Sequence, residues 1–208
     1  MSTHADTFRR LHVGPDLLIL PNGWDAGSCR VIETLGAKAV ATSSAAVCWS
    51  HGYADGHHLP VDFLITTVRE ITRAISIPLT CDFEGGYADD PATVGDNVAR
   101  VIDAGAVGIN IEDGVGATDL LAAKIDAVRK AADRAGAPLF INARTDVYLR
   151  GLAEGEAAVA EVLRRAALYR NAGADGLFAP GVIIRDEIAA IAAGCGLPLN
   201  VMAQAGLP

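Results

Sequence analysis

The sequence predicts an α/β fold of the (β/α)8 TIM-barrel type, and three observations point there. Short apolar runs rich in Val, Ile and Leu alternate with longer segments of helical spacing along the 208 residues, the pattern of a parallel sheet with crossover helices. Glycine recurs just before the runs, in TLGAKAV, DAGAVGI, RAGAPLF, NAGADGL and AGCGLPL, where it supplies the left-handed residue that ends a helix. Polar residues gather at the C-terminal ends of the runs. Strand ends dispersed through a chain converge only if they form one mouth, as at the C-terminal face of a barrel. The competing architecture is an open doubly wound sheet. A Rossmann-type sheet would carry G-x-G-x-x-G after an early strand, and the sequence has none.

In chain order, strands are expected at LLIL (17–20), AVATS (39–43), PLTCDF (78–83), VGINIE (107–112), LFINAR (139–144), GLFAP (176–180) and PLNVM (198–202). They are almost continuously apolar, as strands covered on both faces are. Helical spacing occupies about 26–36, 62–75, 91–104, 118–135, 154–172 and 185–193. The third of these helices opens on DDPATV, where Pro91 suits a first helical turn. All of residues 1–208 are read as a single barrel domain.

Hydrophobic residues make up 51% and charged residues 20% of the chain, enough for one large core and too apolar for disorder. The net charge of −8 comes without a basic cluster, which argues against nucleic acid. No apolar run reaches the roughly 18 residues of a membrane span, and MSTHADTFRRLH has no apolar signal region. Cys29, Cys48, Cys81 and Cys195 form no CxxC pair. They fit a reduced, cytoplasmic protein.

The polar strand ends are the candidate site. They comprise Asn22 and Asp25; Thr42, Ser43 and Ser44; Asp82 and Glu84; Asn110, Glu112 and Asp113; Asn142, Arg144, Thr145 and Asp146; and Asn200. Alternation places Asp82 and Glu84 on one side with Phe83 opposite, and Asn110 with Glu112. Three carboxylates in one mouth repel if ionised. Shared protons, the Arg144 cation or a bound metal could offset this. Oxygen donors with little His or Cys favour Mg2+ or Mn2+. The plainer alternative is that Asp82 and Glu84 only begin a turn and cap the next helix, a task DDPATV performs better.

Other residues carry less. The three lysines, Lys38, Lys124 and Lys130, all lie away from strand C-terminal ends, which excludes Schiff-base chemistry in the mouth. His57 and His58 in GYADGHHLP read as a surface loop. Trp24 and Trp49 read as packing, as does Cys81, whose side chain should face away from Asp82.

The stretches LPNGWDAGSCRVIETLGAKAVATSS, GYADG, TCDFEGGYADDPATVGDNVARVIDAGAVGINIEDG and NARTDVYL together resemble the isocitrate lyase / phosphoenolpyruvate mutase superfamily, from about residue 8 to 206. The resemblance implies a (β/α)8 barrel with Mg2+ or Mn2+ in its mouth. It also implies a small α-oxo or α-hydroxy carboxylate substrate, C–C or P–C bond chemistry through an enolate-like intermediate, and a homo-oligomer. By the same resemblance Asp82 is a direct metal ligand, and Glu84 and Glu112 hold the metal through water. Ser43 and Ser44 grip the substrate carboxylate, and Asn110 lies on the substrate side. Arg144 is the substrate-binding arginine and Asp55 the acid of a G-x-x-D loop. Asn200, on the last strand, joins them as a substrate contact.

There are departures from the superfamily. Where isocitrate and methylisocitrate lyases have a Lys-Lys/Arg-Cys-Gly-His gating loop, this chain has EDGVGATDLLAAK, with neither cysteine nor histidine. The lysine- and asparagine-bearing loop of phosphoenolpyruvate mutases is missing too, and FAPGV lacks the acid or histidine of several members. The chain ends just after the seventh strand, so the eighth strand and terminal helices are expected to be absent, with an apolar seam exposed between the first and seventh strands. A metal-dependent lyase or mutase acting on an oxaloacetate-type substrate is the expectation. A non-catalytic carboxylate-binding or regulatory barrel is the alternative.

Overall fold

The computed structural model describes residues 3–208. Seven strands form one sheet, ordered β1 to β7 without interruption. They are β1 (Asn22–Gly23), β2 (Val40–Thr42), β3 (Leu79–Asp82), β4 (Gly108–Glu112), β5 (Phe140–Arg144), β6 (Gly176–Phe178) and β7 (Leu199–Asn200). Every neighbouring pair is parallel. Barrel winding gives this monotonic order, whereas a doubly wound sheet reverses at a switch point. Among the described residues β1 and β7 each have a single strand neighbour.

The helices are α1 (His4–Val13), α2 (Ala26–Thr34), α3 (Ser44–Ser50), α4 (Val61–Ala74), α5 (Pro91–Asp103), α6 (Thr118–Arg134), α7 (Gly155–Asn171) and α8 (Arg185–Gly194). The six helices expected from spacing all occur, with ends within two residues of the expected ones. The five punctuating glycines, Gly36, Gly105, Gly136, Gly173 and Gly196, all have positive φ. At α5, Asp90 is the N-cap, accepting from Thr93 N at 2.9 Å, with Pro91 in the first turn. The stripe Val94, Val98 and Val101 of α5 is fully buried, as is much of Leu121, Ile125 and Val128 of α6. The two helices meet closely at Gly95, where a Cβ would lie 3.3 Å from the Ala127 carbonyl oxygen.

Two helices and one strand differ from expectation. The first strand lies at 22–23, not 17–20: Ala41 N bonds to Pro21 O at 3.0 Å, and Asn22 registers with Ala41. LLIL is apolar enough for a strand, but Leu17 and Ile19 are 90% and 76% exposed. The segment instead borders a cavity of about 630 Å³ with Ile32, Leu35 and Lys38. That cavity sits at the N-terminal ends of the strands, away from the polar residues. The helix α1 is unexpected; a capping box between Thr3 and Asp6 starts it. The helix α3 starts at the Ser43 N-cap.

Strand register sets the site. Thr80 registers with Gly108 and Gly108 with Phe140. One step on, Asp82 pairs with Asn110, Asn110 with Asn142 and Asn142 with Gly176. A further step aligns Glu112, Arg144, Phe178 and Asn200. The intervening Leu79, Cys81, Ile109, Ile111, Ile141, Ala143 and Leu177 are buried and apolar, on the opposite side by the period of two. Below the rows, α1 closes the sheet. Phe8 is buried against Phe140, ring centroids 5.5 Å apart. A Cβ on Gly108 would lie 2.9 Å from the Phe8 ring, so glycine is required there. Burying a Phe side chain contributes roughly 1.5–3 kcal/mol.

His12 of α1 stacks on Phe140 at 4.1 Å, and its Nδ1 bonds to Phe8 O at 2.8 Å. Burial first, with Arg9 adding to it, lowers the His12 pKa below its ordinary 6.5. The unfolded chain therefore binds this proton more tightly. The stability His12 contributes is complete above about 6.5 and is lost as pH falls through the lowered folded value. His12→Phe should keep the stacking and remove the titration. Between pH 7.5 and 5, its melting temperature should fall less than that of the wild type; equal falls in parallel thermal scans would contradict the assignment.

Candidate active site

Arg144 is the centre of the upper row. Its Nη1 lies 2.6 Å from Glu112 Oε2 across the β4–β5 ladder. Two residues along its own strand, Asp146 takes Nε at 2.7 Å and Nη2 at 3.2 Å. The guanidinium carbon stands 5.8 Å from the Phe178 ring centroid. A forked guanidinium held on two edges is fixed in plane and direction while keeping N–H donors free. Burial pushes the Glu112 carboxyl up to about 7, outweighing the attraction of Arg144; Asp82, Asp146 and Glu84 push the same way.

Asp82 ends β3 in the row below. Its Oδ2 accepts from Ser44 N at 2.9 Å, and its own N–H donates to Thr42 Oγ1 at 2.8 Å. Oδ1 is buried with no hydrogen-bond partner. An orphaned buried oxygen costs about 1–3 kcal/mol, and a bound divalent cation would offset that cost. Asp82, Glu84 and Glu112 are oxygen donors of the kind a hard cation takes, but the ligand atoms lying within 4.8 Å of one another among the described residues are those of Cys48, Asp55 and Glu84. Asn110 Oδ1 accepts from Asn142 Nδ2 at 2.8 Å, bridging the row. Ser43 Oγ accepts from Ala46 N at 3.4 Å as the α3 cap. Asn200 is half-buried at the far end of the upper row.

Glu84 reaches the site by another route than alternation. The strand stops at Asp82, and Glu84 has φ 48°, so its side chain is set by a turn. It is buried, and its carboxylate accepts from Tyr87 Oη at 2.8 Å, from the His57 backbone N–H and weakly from Cys48 Sγ at 3.8 Å. Its carbonyl accepts from Glu112 N at 2.9 Å, which joins the turn to β4. Asp55 is exposed, but one ligand atom each from Asp55, Glu84 and Cys48 lie within 4.8 Å of one another. Burial and the neighbouring Glu84 and Asp55 push the Cys48 thiol up to about 11, so it stays protonated.

Three readings from sequence change. His57 belongs to the site: Gly85 N donates to its Nε2 at 2.8 Å, and its ring stacks on Tyr87. The glycine pair at 85–86 was the signal, since a Cβ on Gly85 would stand 2.9 Å from that ring. Lys124, although on a helix, is buried and donates to Gly85 O at 2.8 Å. Burial lowers its pKa, and Asp89 counters this. Asp113, a strand-end acid, turns away from the mouth to accept from Arg165 Nη1 at 2.8 Å and Tyr169 Oη at 2.7 Å, and also from Asp146 N at 2.9 Å.

Comparison with known proteins matches residues 8–208 to the family model described as phosphoenolpyruvate phosphomutase. An uncharacterized protein of Mycobacterium tuberculosis (strain H37Rv) is 35% identical, over 97% of this chain and 75% of its own length. Oxaloacetate decarboxylase of Bradyrhizobium sp. (strain BTAi1) is 32% identical, over 85% of this chain and 62% of its own length. The 2-methylisocitrate lyase of Escherichia coli K12 is also 32% identical, over 86% and 63%. Among solved structures, a Burkholderia cenocepacia J2315 protein provisionally described as a phosphonomutase superposes with TM-score 0.94 at 43% identity, covering 99% of this chain and 86% of that one. 2,3-Dimethylmalate lyase superposes with TM-score 0.86 at 27% identity, covering 100% and 75%.

The geometry separates two kinds of strand-end carboxylate. Asp113→Ala takes the acceptor from the Tyr169 hydroxyl, the Asp146 N–H and one edge of Arg165, which keeps Glu161 at 2.7 Å, and should cost about 3 kcal/mol. Asp82→Ala removes a half-orphaned carboxylate and should stay within about 1 kcal/mol of the wild type in chelator. Urea denaturation of both variants checks this; comparable losses would place Asp82 in the structural class.

Proposed function

The chain belongs to the phosphoenolpyruvate phosphomutase family, and we propose that it is a divalent-metal-dependent lyase acting on a small α-oxo or α-hydroxy carboxylate of the oxaloacetate type. The observation that carries this reading is the buried, partnerless Oδ1 of Asp82 beside Glu84 and Glu112, with Arg144 clamped opposite. The 32% likeness to an oxaloacetate decarboxylase and to a 2-methylisocitrate lyase supports the substrate class.

In this reading Asp82 would hold Mg2+ or Mn2+, with Glu84 and Glu112 as the further carboxylates that would hold it through water. A cation held there would supply Lewis-acid stabilisation of negative charge on the substrate. Arg144 binds the substrate carboxylate with its remaining N–H groups, in a direction Glu112 and Asp146 have already fixed. Ser43 and Ser44, at the start of α3, and Asn110 and Asn200, in the strand rows, orient the rest of the substrate. Asp55, at the loop tip, is the candidate proton-transfer group. A homo-oligomer in the cytoplasm completes the proposal.

One feature favours the non-catalytic alternative. Only residues 113–117 connect β4 to α6, which leaves no room for a gating loop over the mouth. Turnover decides between the two. Oxaloacetate, 2-methylisocitrate and phosphonopyruvate, each with and without Mg2+, should reveal at least one metal-dependent product. Tight oxalate binding without turnover of any of them would favour the binding barrel.

Two further outcomes follow from the residue roles. Asp82→Ala should abolish Mg2+ binding in calorimetry while the protein stays folded. Arg144→Lys keeps the charge but loses the planar fork. It should bind oxalate at least tenfold more weakly, about 1.4 kcal/mol; unchanged affinity would remove Arg144 from the substrate site.

A further inference from the structure

Among the described residues, positive φ at a non-glycine position occurs at His57, Glu84 and Tyr87. These three residues come from two separate segments and touch one another. His57 lies in the 51–60 loop between α3 and α4, and Glu84 and Tyr87 in the turn between β3 and α5. Such backbone conformations persist only where the surroundings hold them, and they cluster at functional sites.

The connections between the segments are specific. The His57 backbone N–H donates to Glu84 Oε2. The imidazole Nε2 accepts from Gly85 N at 2.8 Å, so that nitrogen carries no proton. The ring lies nearly parallel to Tyr87, 24° between planes and 5.6 Å between centroids. Tyr87 Oη in turn donates to Glu84 Oε1 at 2.8 Å. Both glycine carbonyls of the turn are held from the helices, Gly85 O by Lys124 at 2.8 Å and Gly86 O by Asn97 at 3.3 Å. The Gly85 amide is held from the loop, by His57.

We propose that His57 is a positioning residue. It latches the 51–60 loop to the Gly85-Gly86 turn and so sets Glu84 and Asp55 in place together. This rests on the metal reading of Asp82, Glu84 and Glu112. The ring works through the Gly85 amide and the Tyr87 face, not by touching substrate. Three features fit this role and not that of a filler side chain: an imidazole acceptor aimed at a backbone amide, a glycine that leaves room for the ring, and a left-handed backbone that turns its own N–H to Glu84.

The test compares His57→Ala, His57→Phe and His57→Gln. The first loses ring and acceptor, the second keeps the stacked ring alone, and the third restores an acceptor near the Nε2 position. Mg2+ affinity by calorimetry and deuterium exchange over residues 83–90 are read in each. His57→Ala and His57→Phe should bind Mg2+ at least tenfold more weakly and exchange the turn amides faster. His57→Gln should recover most of both. Wild-type affinity and exchange in the first two would overturn the latch, as would a glutamine variant no better than alanine. If the wild type binds no Mg2+, the metal reading fails. The exchange arm then decides the latch alone: faster exchange in His57→Phe with recovery in His57→Gln supports it, and unchanged exchange overturns it.

Discussion

The mouth depends on how one cation, Arg144, is held among several carboxylates. Glu112 and Asp146 take two edges of its guanidinium, and Asp146 is itself fully buried. Asp146 stays in place because its backbone N–H donates to Asp113, and Asp113 is anchored by Arg165 and Tyr169 of α7. A chain of charge-assisted bonds thus runs from a helix on the outside of the sheet to the tip of β5. Each buried charge has a partner of opposite sign or a strong donor, as burial demands. The alternation of carboxylate and guanidinium orients Arg144 and leaves two of its five N–H donors uncommitted to Glu112 and Asp146.

Against this satisfied chain, Asp82 stands out. It sits two strands from Arg144, with one oxygen bonded to Ser44 N and the other unpartnered. Glu112 between them is half-buried, and desolvation pushes it toward neutrality. Asp113 is saturated with donors, whereas Asp82 keeps one buried oxygen without any. That difference in saturation, more than acidity or position, distinguishes Asp113 from Asp82, although both lie at strand ends.

Much of this was legible in the sequence because it follows from periodicity. Strand order, six helices and the convergence of strand ends come from apolar spacing and glycine punctuation, and Glu112, Arg144 and Asn200 share a row because register carries them there. The parts that were not legible depend on something other than local pattern. LLIL has strand composition, but pairing begins at Pro21 and leaves it exposed. The helix α1 is the lid at the base, and its burial comes from Phe8 reaching Gly108 and Phe140, a long-range contact no spacing reveals. Glu84 arrives by a left-handed turn, so alternation put it on the right side for the wrong reason. His57 looked like one of two loop histidines because its partner, the Gly85 amide, is 28 residues away.

The turn after β3 shows how the fold accommodates this local cost. Left-handed Glu84 and Tyr87 are unfavourable conformations, and a buried lysine is costly to desolvate. Lys124 nonetheless spends its charge on the Gly85 carbonyl, and it can do so because α6 is pressed against α5 along fully apolar stripes and the close approach at Gly95. The helix pair supplies the stability, and the turn uses it to hold Glu84 at the edge of the mouth. The catalytic candidates are therefore coupled to the outer layer at two points, through Lys124 on α6 and through Arg165 on α7. Both ties end on groups adjoining the carboxylates, Gly85 next to Glu84 and Asp113 next to Glu112, so a change in either helix bears directly on the mouth.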